Sequence, residues 1–166
     1  FIQKHKLFSF YSTLMLLVVL IAIFAPWLAP GDAFSSNLSQ ALQAPSSQHW
    51  FGTDKLGRDV LSRIIYGTQL SLFMGVTIVV IMVSVGTIIG AAAGYFGGKV
   101  EMVLMRITDI MLSFPGIVLA IAIAGILGGS IVNTILALSV VGWAKYARLV
   151  RSMTLKVRGE EYVTAA

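Results

Sequence analysis

Three stretches of this chain carry no charged side chain: residues 7–31, 64–98 and 110–144, of 25, 35 and 35 residues. About 20 apolar residues in a helix cross the hydrocarbon core of a bilayer, so an uncharged apolar run of 18 or more is a transmembrane candidate. Composition points the same way. Hydrophobic residues make up 57% and charged residues 11%, against about a quarter charged in soluble proteins. So few charges cannot clothe a water-soluble surface. The expected class is an all-α polytopic membrane protein.

Several chemistries are excluded by the same inventory. The chain has no cysteine, hence no disulfide, thiol nucleophile or thiolate metal site. His5 and His49 lie in separate polar stretches, and the seven acidic residues are scattered singly or as neighbours. No cluster has the spacing of a zinc site or a two-carboxylate hydrolase. The net charge of +5 comes from basic residues beside apolar spans. Membrane topology accounts for that sign better than nucleic-acid binding does.

Four spans are expected. The first runs over about residues 7–29 and ends at Pro26, Pro30 and Gly31; its long apolar core favours a retained helix over a cleaved signal. The second covers about 70–95, the third 102–127 and the fourth 131–150. Lys4 and Lys6, then Lys99 and Arg106, then Lys145, Arg148, Arg151, Lys156 and Arg158 all fall on one side if the four alternate. The positive-inside rule places that side, with the N-terminus, the 96–101 turn and residue 166, in the cytoplasm. Residues 30–67 then lie outside.

Within this frame the chain divides into an N-terminal segment with its span (1–29), an external loop (30–67) and the start of a helical core with three spans (68–166). The loop is polar and turn-rich. Val60, Leu61, Ile64 and Ile65 share one helical face while Asp59, Ser62 and Arg63 share the other. This predicts a short amphipathic helix in the interface, with Asp59 and Arg63 as an i,i+4 pair. Gly86, Gly90 and Gly94 form a small-xxx-small row for close helix packing. Pro115 predicts a kink in the third span. Arg106 and Asp109, i,i+3 neighbours inside that span, are a candidate intramembrane polar pair. Asn133, Thr134 and Ser139 either line a polar path or bond back to their own helix.

Four segments taken in order go further. They are residues 49–63 (HWFGTDKLGRDVLSR), 93–98 (AGYFGG), 105–110 with 113–115 (MRITDI, SFP), and 146–151 (YARLVR) leading to 161–166 (EYVTAA). This ordered set resembles the second membrane subunit of the dipeptide/oligopeptide/nickel family of ATP-binding-cassette importers. The resemblance implies a type I importer permease bundle, with four membrane helices here and six in a complete subunit. It implies that residues 158–166 open a cytoplasmic coupling loop that docks into a partner ATPase, with Arg158, Glu160, Glu161, Tyr162, Val163, Thr164, Ala165 and Ala166 as its contacts. The family's glutamate falls at Thr164, a departure that removes the carboxylate the ATPase would meet. It further implies that Gly52, Thr53, Asp54, Gly57, Arg58, Asp59 and Arg63 form an external-face segment where a binding protein delivers substrate.

The expected partners are a similar second permease, two cytoplasmic ATPases holding ATP-Mg, the extracytoplasmic binding protein and lipid. This chain itself is expected to bind no cofactor or metal and to be no enzyme, since it contains no Gly-x-x-x-x-Gly-Lys-Ser/Thr loop. It begins at Phe1 and stops inside the coupling motif, so further residues are expected at both ends. A secondary transporter, or another polytopic protein without an ATPase, is the alternative; it calls for internal repeats, and none is visible. For the substrate, peptides, nickel and metal chelates stay open, with Trp143 to Arg148 leaning slightly towards nickel-type members.

Overall fold

The computed structural model describes residues 6–159. Expectations for residues 160–166 therefore lie outside the described residues. The chain divides into two compact units, Phe1–Phe73 and Met74–Ala166. Regular structure among the described residues is helical, apart from one isolated antiparallel bridge between Thr53 and Asp59.

The first unit opens with α1 (Lys6–Ile23), an apolar helix whose Leu, Phe and Met side chains lie largely exposed. Such a helix cannot bury its face within so small a unit, and lipid is the natural cover. Phe24 leaves the helical path and α2 (Ala25–Leu28) follows, with Pro26 in its first turn, where proline's missing N–H costs nothing. Residues 29–59 form a loop tied by backbone bonds across its width. Asn37 N–H donates to the Leu56 carbonyl at 2.9 Å, Leu42 to Asp54 at 3.1 Å, Thr53 to Gln43 at 3.1 Å and Val60 to Gly52 at 3.1 Å. This connectivity replaces the apolar core that the loop's composition lacks.

The first turns of α3 (Val60–Phe96) complete that unit. Here the structure departs from the sequence expectation: no separate amphipathic helix precedes the second span. Val60 begins a single 37-residue helix, about 55 Å long at 1.5 Å per residue, well beyond the ~30 Å a bilayer core requires. Gly67 sits within it without a break, since an isolated glycine costs a helix only about 1 kcal/mol.

In the second unit the remainder of α3 is joined by α4 (Gly98–Ser113), α5 (Gly116–Leu127) and α6 (Ile131–Arg158). Gly97 and Gly98, with φ of 65° and 53°, make the reversal between α3 and α4, a backbone region glycine enters freely. The α6 helix is the hub. It packs on α4 and α5, and the glycine row of α3 lies against it. A methyl carbon at Gly86 would sit 2.8 Å from the Trp143 carbonyl oxygen; one at Gly94 would sit 2.7 Å from Thr154 Cβ. At Gly90 it would meet the Ala147 carbonyl oxygen. Ala144 and Ala147 on α6 are buried completely, as is Ala93 on α3, so small side chains on both helices let the backbones approach.

Two further expectations are corrected. The third span is not one kinked helix: α4 and α5 meet at 88°. Phe114, preceding a proline, is extended at φ −89°, ψ 143°, because proline's ring excludes the residue before it from helical space. Pro115 then caps α5. Second, α6 does not end near Val150 with its cations trailing behind; Lys145, Arg148, Arg151, Lys156 and Arg158 all lie on the helix. Among the described residues two helices, α1 and α3, are long and apolar enough to cross a membrane, or three if the bent α4–α5 pair is one span. The α6 helix, punctuated by those cations and by Asn133, is not among them.

Candidate functional site

The loop of the first unit is built around two aspartates. Gly52 and Gly57 hold φ of 72° and 73°, and a side chain at Gly57 would strike the Asn37 carbonyl oxygen. Between these glycines the Asp54 carboxylate gathers the turn. Its Oδ1 accepts from the backbone N–H of Leu56 (2.8 Å) and Arg58 (3.0 Å), and its Oδ2 accepts from Arg58 Nε at 2.9 Å. Arg63 also donates to Oδ2. The Arg58 guanidinium, helped by the backbone donors, holds Asp54 well below the usual carboxylate range. Thr53, buried, donates its hydroxyl hydrogen bond to the Gln40 carbonyl and accepts from Gln43 N–H at 2.8 Å.

Asp59 plays a different part from the one its helical register suggested. Its side chain is 2% exposed. Oδ1 lies 3.0 Å from His49 Nδ1, and Oδ2 accepts from Ser62 N–H at 2.8 Å. The Ser62 hydroxyl, fully buried, accepts from Gly31 N–H at 2.9 Å. Burial alone would raise the Asp59 pKa, but the bonds from Ser62 and His49 outweigh it and the net direction is down. The expected Asp59–Arg63 pair is not made; Arg63 turns to Asp54 instead. Asp59 and Ser62, which the helical register set on the polar face, are thus interior residues, and His49 and Gly31 join the cluster although the sequence reading gave them no site role. The HWFGTD run containing His49 was the available signal. Beside the cluster, a groove of about 650 Å³ is bounded by Arg58, Arg63, Gln69 and Phe73, with Phe34 and Tyr66 edge to face at 5.0 Å.

In the second unit the charged residues pair between helices rather than along one. Asp109 Oδ1 accepts from Arg148 Nη2 at 2.6 Å, and Glu101 accepts twice from Arg151, through Nε at 2.7 Å and through Nη2. The expected Arg106–Asp109 pair does not form, because the Asp109 carboxylate is engaged by Arg148 across the groove. Glu101, Arg148 and Arg151 join the candidate residues for that reason. Arg158 Nη1, at the end of α6, donates to the Tyr95 carbonyl at 3.3 Å. Asn133 bonds the Leu127 and Gly128 carbonyls, and Thr134 the Ser130 carbonyl. The buried Ser139 hydroxyl has no hydrogen-bond partner among the described residues.

No group of three or more His, Asp or Glu side chains gathers for a metal ion among the described residues. Among the described residues the arrangement provides a hydrogen-bonded loop in the first unit and a charged interhelical groove in the second.

Comparison with known proteins bears on both units. Residues 3–45 match the N-terminal TM domain of oligopeptide transport permease C, and residues 86–166 match the binding-protein-dependent transport system inner membrane component. The dipeptide transport system permease protein DppC of Alkalihalophilus pseudofirmus is 45% identical over 99% of this chain and 54% of its own length. The nickel transport system permease protein NikC of Escherichia coli is 38% identical over 90% of this chain and 54% of its length. The oligopeptide transport system permease protein OppC of Bacillus subtilis is 36% identical over 99% and 54%. The chain spans about half the length of these curated relatives. With long apolar helices and 45% identity to a dipeptide permease over 99% of its residues, the chain belongs to the family of membrane permease components of dipeptide, oligopeptide and nickel transport systems.

Proposed function

We propose that this chain is part of a subunit that forms half of the translocation pore in an ATP-driven, binding-protein-dependent importer of peptides or nickel/metal chelates. Its likeness to the dipeptide permease over 99% of its residues is the observation that carries this reading. In it, α1, α3, the bent α4–α5 pair and α6 are four crossings of a bacterial inner membrane, with the N-terminus in the cytoplasm. The complete subunit adds two more. The basic C-terminal turns of α6 then stand at the cytoplasmic surface, and residues 158–166 continue into the ATPase-docking loop. Two ATPases carry ATP-Mg and a second, similar permease completes the pore. The loop organised by Asp54 and Asp59 receives the external binding protein. The glycine row holds α3 to α6, and the Pro115 break shapes the pore wall.

Transport by the complete subunit with its partners in proteoliposomes tests this. Uptake should require internal ATP and persist when ion gradients are collapsed; gradient-driven uptake without ATP would replace this reading with a secondary transporter. Within the same assay, Ala165→Trp or Ala166→Trp should overpack the docking contact at about 1–3 kcal/mol. That corresponds to roughly one to two decades of ATPase occupancy. Uptake should fall accordingly while substrate binding to the external protein is unchanged. Parental uptake and ATPase co-purification in both variants would remove the docking role from this segment.

A further inference from the structure

The groove between α4 and α6 holds five charged side chains and a cavity of about 530 Å³: Glu101, Arg106 and Asp109 from α4, Arg148 and Arg151 from α6. Four of them are used up in the two cross-helix ion pairs. Arg106 is the fifth. Among the described residues no carboxylate lies within ion-pairing distance of its guanidinium, so three cations face two anions and the groove carries one surplus positive charge. An arginine left unpaired on a helix immersed in lipid is costly, and an anion seated beside it removes that cost.

The rest of the groove tells what kind of anion fits. Met102 and Met105 line it next to Arg106, and Val103, Ile107 and Ile110 on the adjoining face of α4 stand exposed. A ligand filling this space therefore meets a fork of guanidinium donors at one end and an apolar strip running away from it. Inorganic phosphate uses only the first. A phosphate that bears acyl chains uses both. The surrounding charge is of the right sign as well, since residues 110–144 carry no charge while Lys99, Lys145, Lys156 and Arg158 flank the groove in sequence. Basic recesses between membrane helices are a physical solution for holding anionic headgroups, and a planar guanidinium binds phosphate oxygens bidentately. We propose that this groove is a binding site for an anionic phospholipid, whose headgroup phosphate is held by Arg106, with the Arg148–Asp109 and Arg151–Glu101 ion pairs at its sides. The proposal goes beyond the transport reading and needs only that the chain lies in a bilayer.

Native mass spectrometry of the delipidated subunit in detergent tests it, titrated with dioleoylphosphatidylglycerol, dioleoylphosphatidylcholine or glycerol 3-phosphate. One phosphatidylglycerol should bind at least tenfold tighter than phosphatidylcholine, and glycerol 3-phosphate should not displace it. Arg106→Gln should lower that affinity about tenfold, the order of a lost charge-assisted hydrogen bond. Arg106→Lys should retain part of it, and Lys55→Gln in the loop of the first unit should change nothing. Because both ion pairs survive Arg106→Gln, its folding is expected to hold; if it does not, Arg106→Lys and the comparison of the two lipids on the parent protein still decide. Equal affinity for the two lipids, parental binding by Arg106→Gln, or displacement by glycerol 3-phosphate at matched concentration would each overturn the lipid site.

Discussion

Replacing Gly90 with leucine is expected to abolish recovery of folded protein from detergent extracts, whereas Gly75→Leu on the same helix should leave the yield unchanged. The two positions differ in what surrounds them. Nothing in the chain comes within 4 Å of a side chain added at Gly75. At Gly90 the first added carbon already meets the Ala147 carbonyl oxygen, with Val150 Cβ at 2.9 Å and Arg151 N at 3.0 Å. Those are mostly backbone atoms of α6, which cannot rotate away as a side-chain tip would. Overpacking of a well-filled contact typically costs about 1–3 kcal/mol, and a leucine wedged between two backbones lies at or above the top of that range. A domain with only about 5–15 kcal/mol in hand is badly weakened by such a change. The loss should extend to Gly90→Ala, since even a methyl group meets the carbonyl. Monodisperse yield and thermal unfolding of the three variants check this. Parental behaviour of Gly90→Leu would mean that α3 and α6 do not pack through the glycine row.

The glycine row was legible because small residues at i, i+4 and i+8 leave a periodic trace; the partner surface was not, because Ala144, Ala147 and Thr154 form no pattern that names α3. The charge-free runs likewise foretold α1 and α3 from a one-dimensional property. The break between α4 and α5 was half visible. Proline was noted, but a kink was expected where the residue before it, Phe114, leaves helical space altogether. The length of α6 was hidden by treating cations as the flank of a span. Arg148 and Arg151 can stay on the helix because Asp109 and Glu101, 39 and 50 residues away in sequence, meet them there. The loop of residues 29–59 was the least legible part. Helical register assigned Asp59 and Ser62 to a water-facing side, and only the return of the chain at Gly31 and His49 covers them. Such long-range closure leaves no trace in local periodicity.

That closure makes Asp59→Lys the other large expected effect. The parent carboxylate is buried and accepts from Ser62 N–H while facing His49. A lysine in its place buries an ammonium beside two donors, with Arg58 and Arg63 nearby on the same strand of chain and their shared Asp54 already engaged. Removing one partner from a buried charged contact costs about 3–5 kcal/mol, enough to open a loop held mainly by hydrogen bonds. Trypsin should then cut at Lys55 and Arg58 a hundredfold or more faster than in the parent, by the ~1.4 kcal/mol per decade rule. Asp59→Asn keeps the shape and most acceptor capacity, so its effect should be far smaller. Asp32→Asn, on an exposed turn, should be near neutral. Acid should open the same loop. Both Asp54 and Asp59 titrate below their ordinary values in the folded loop, so the folded state favours the ionised carboxylates. Their contribution is fully present above about pH 4, the unfolded carboxylate range, and is lost as the pH falls further through the folded values. Trp50 fluorescence, in a variant retaining that tryptophan alone, should stay flat from neutral pH to about pH 4 and change only below it. A transition near pH 6, or unchanged cleavage of Asp59→Lys, would show that the loop is held by something other than these two carboxylates.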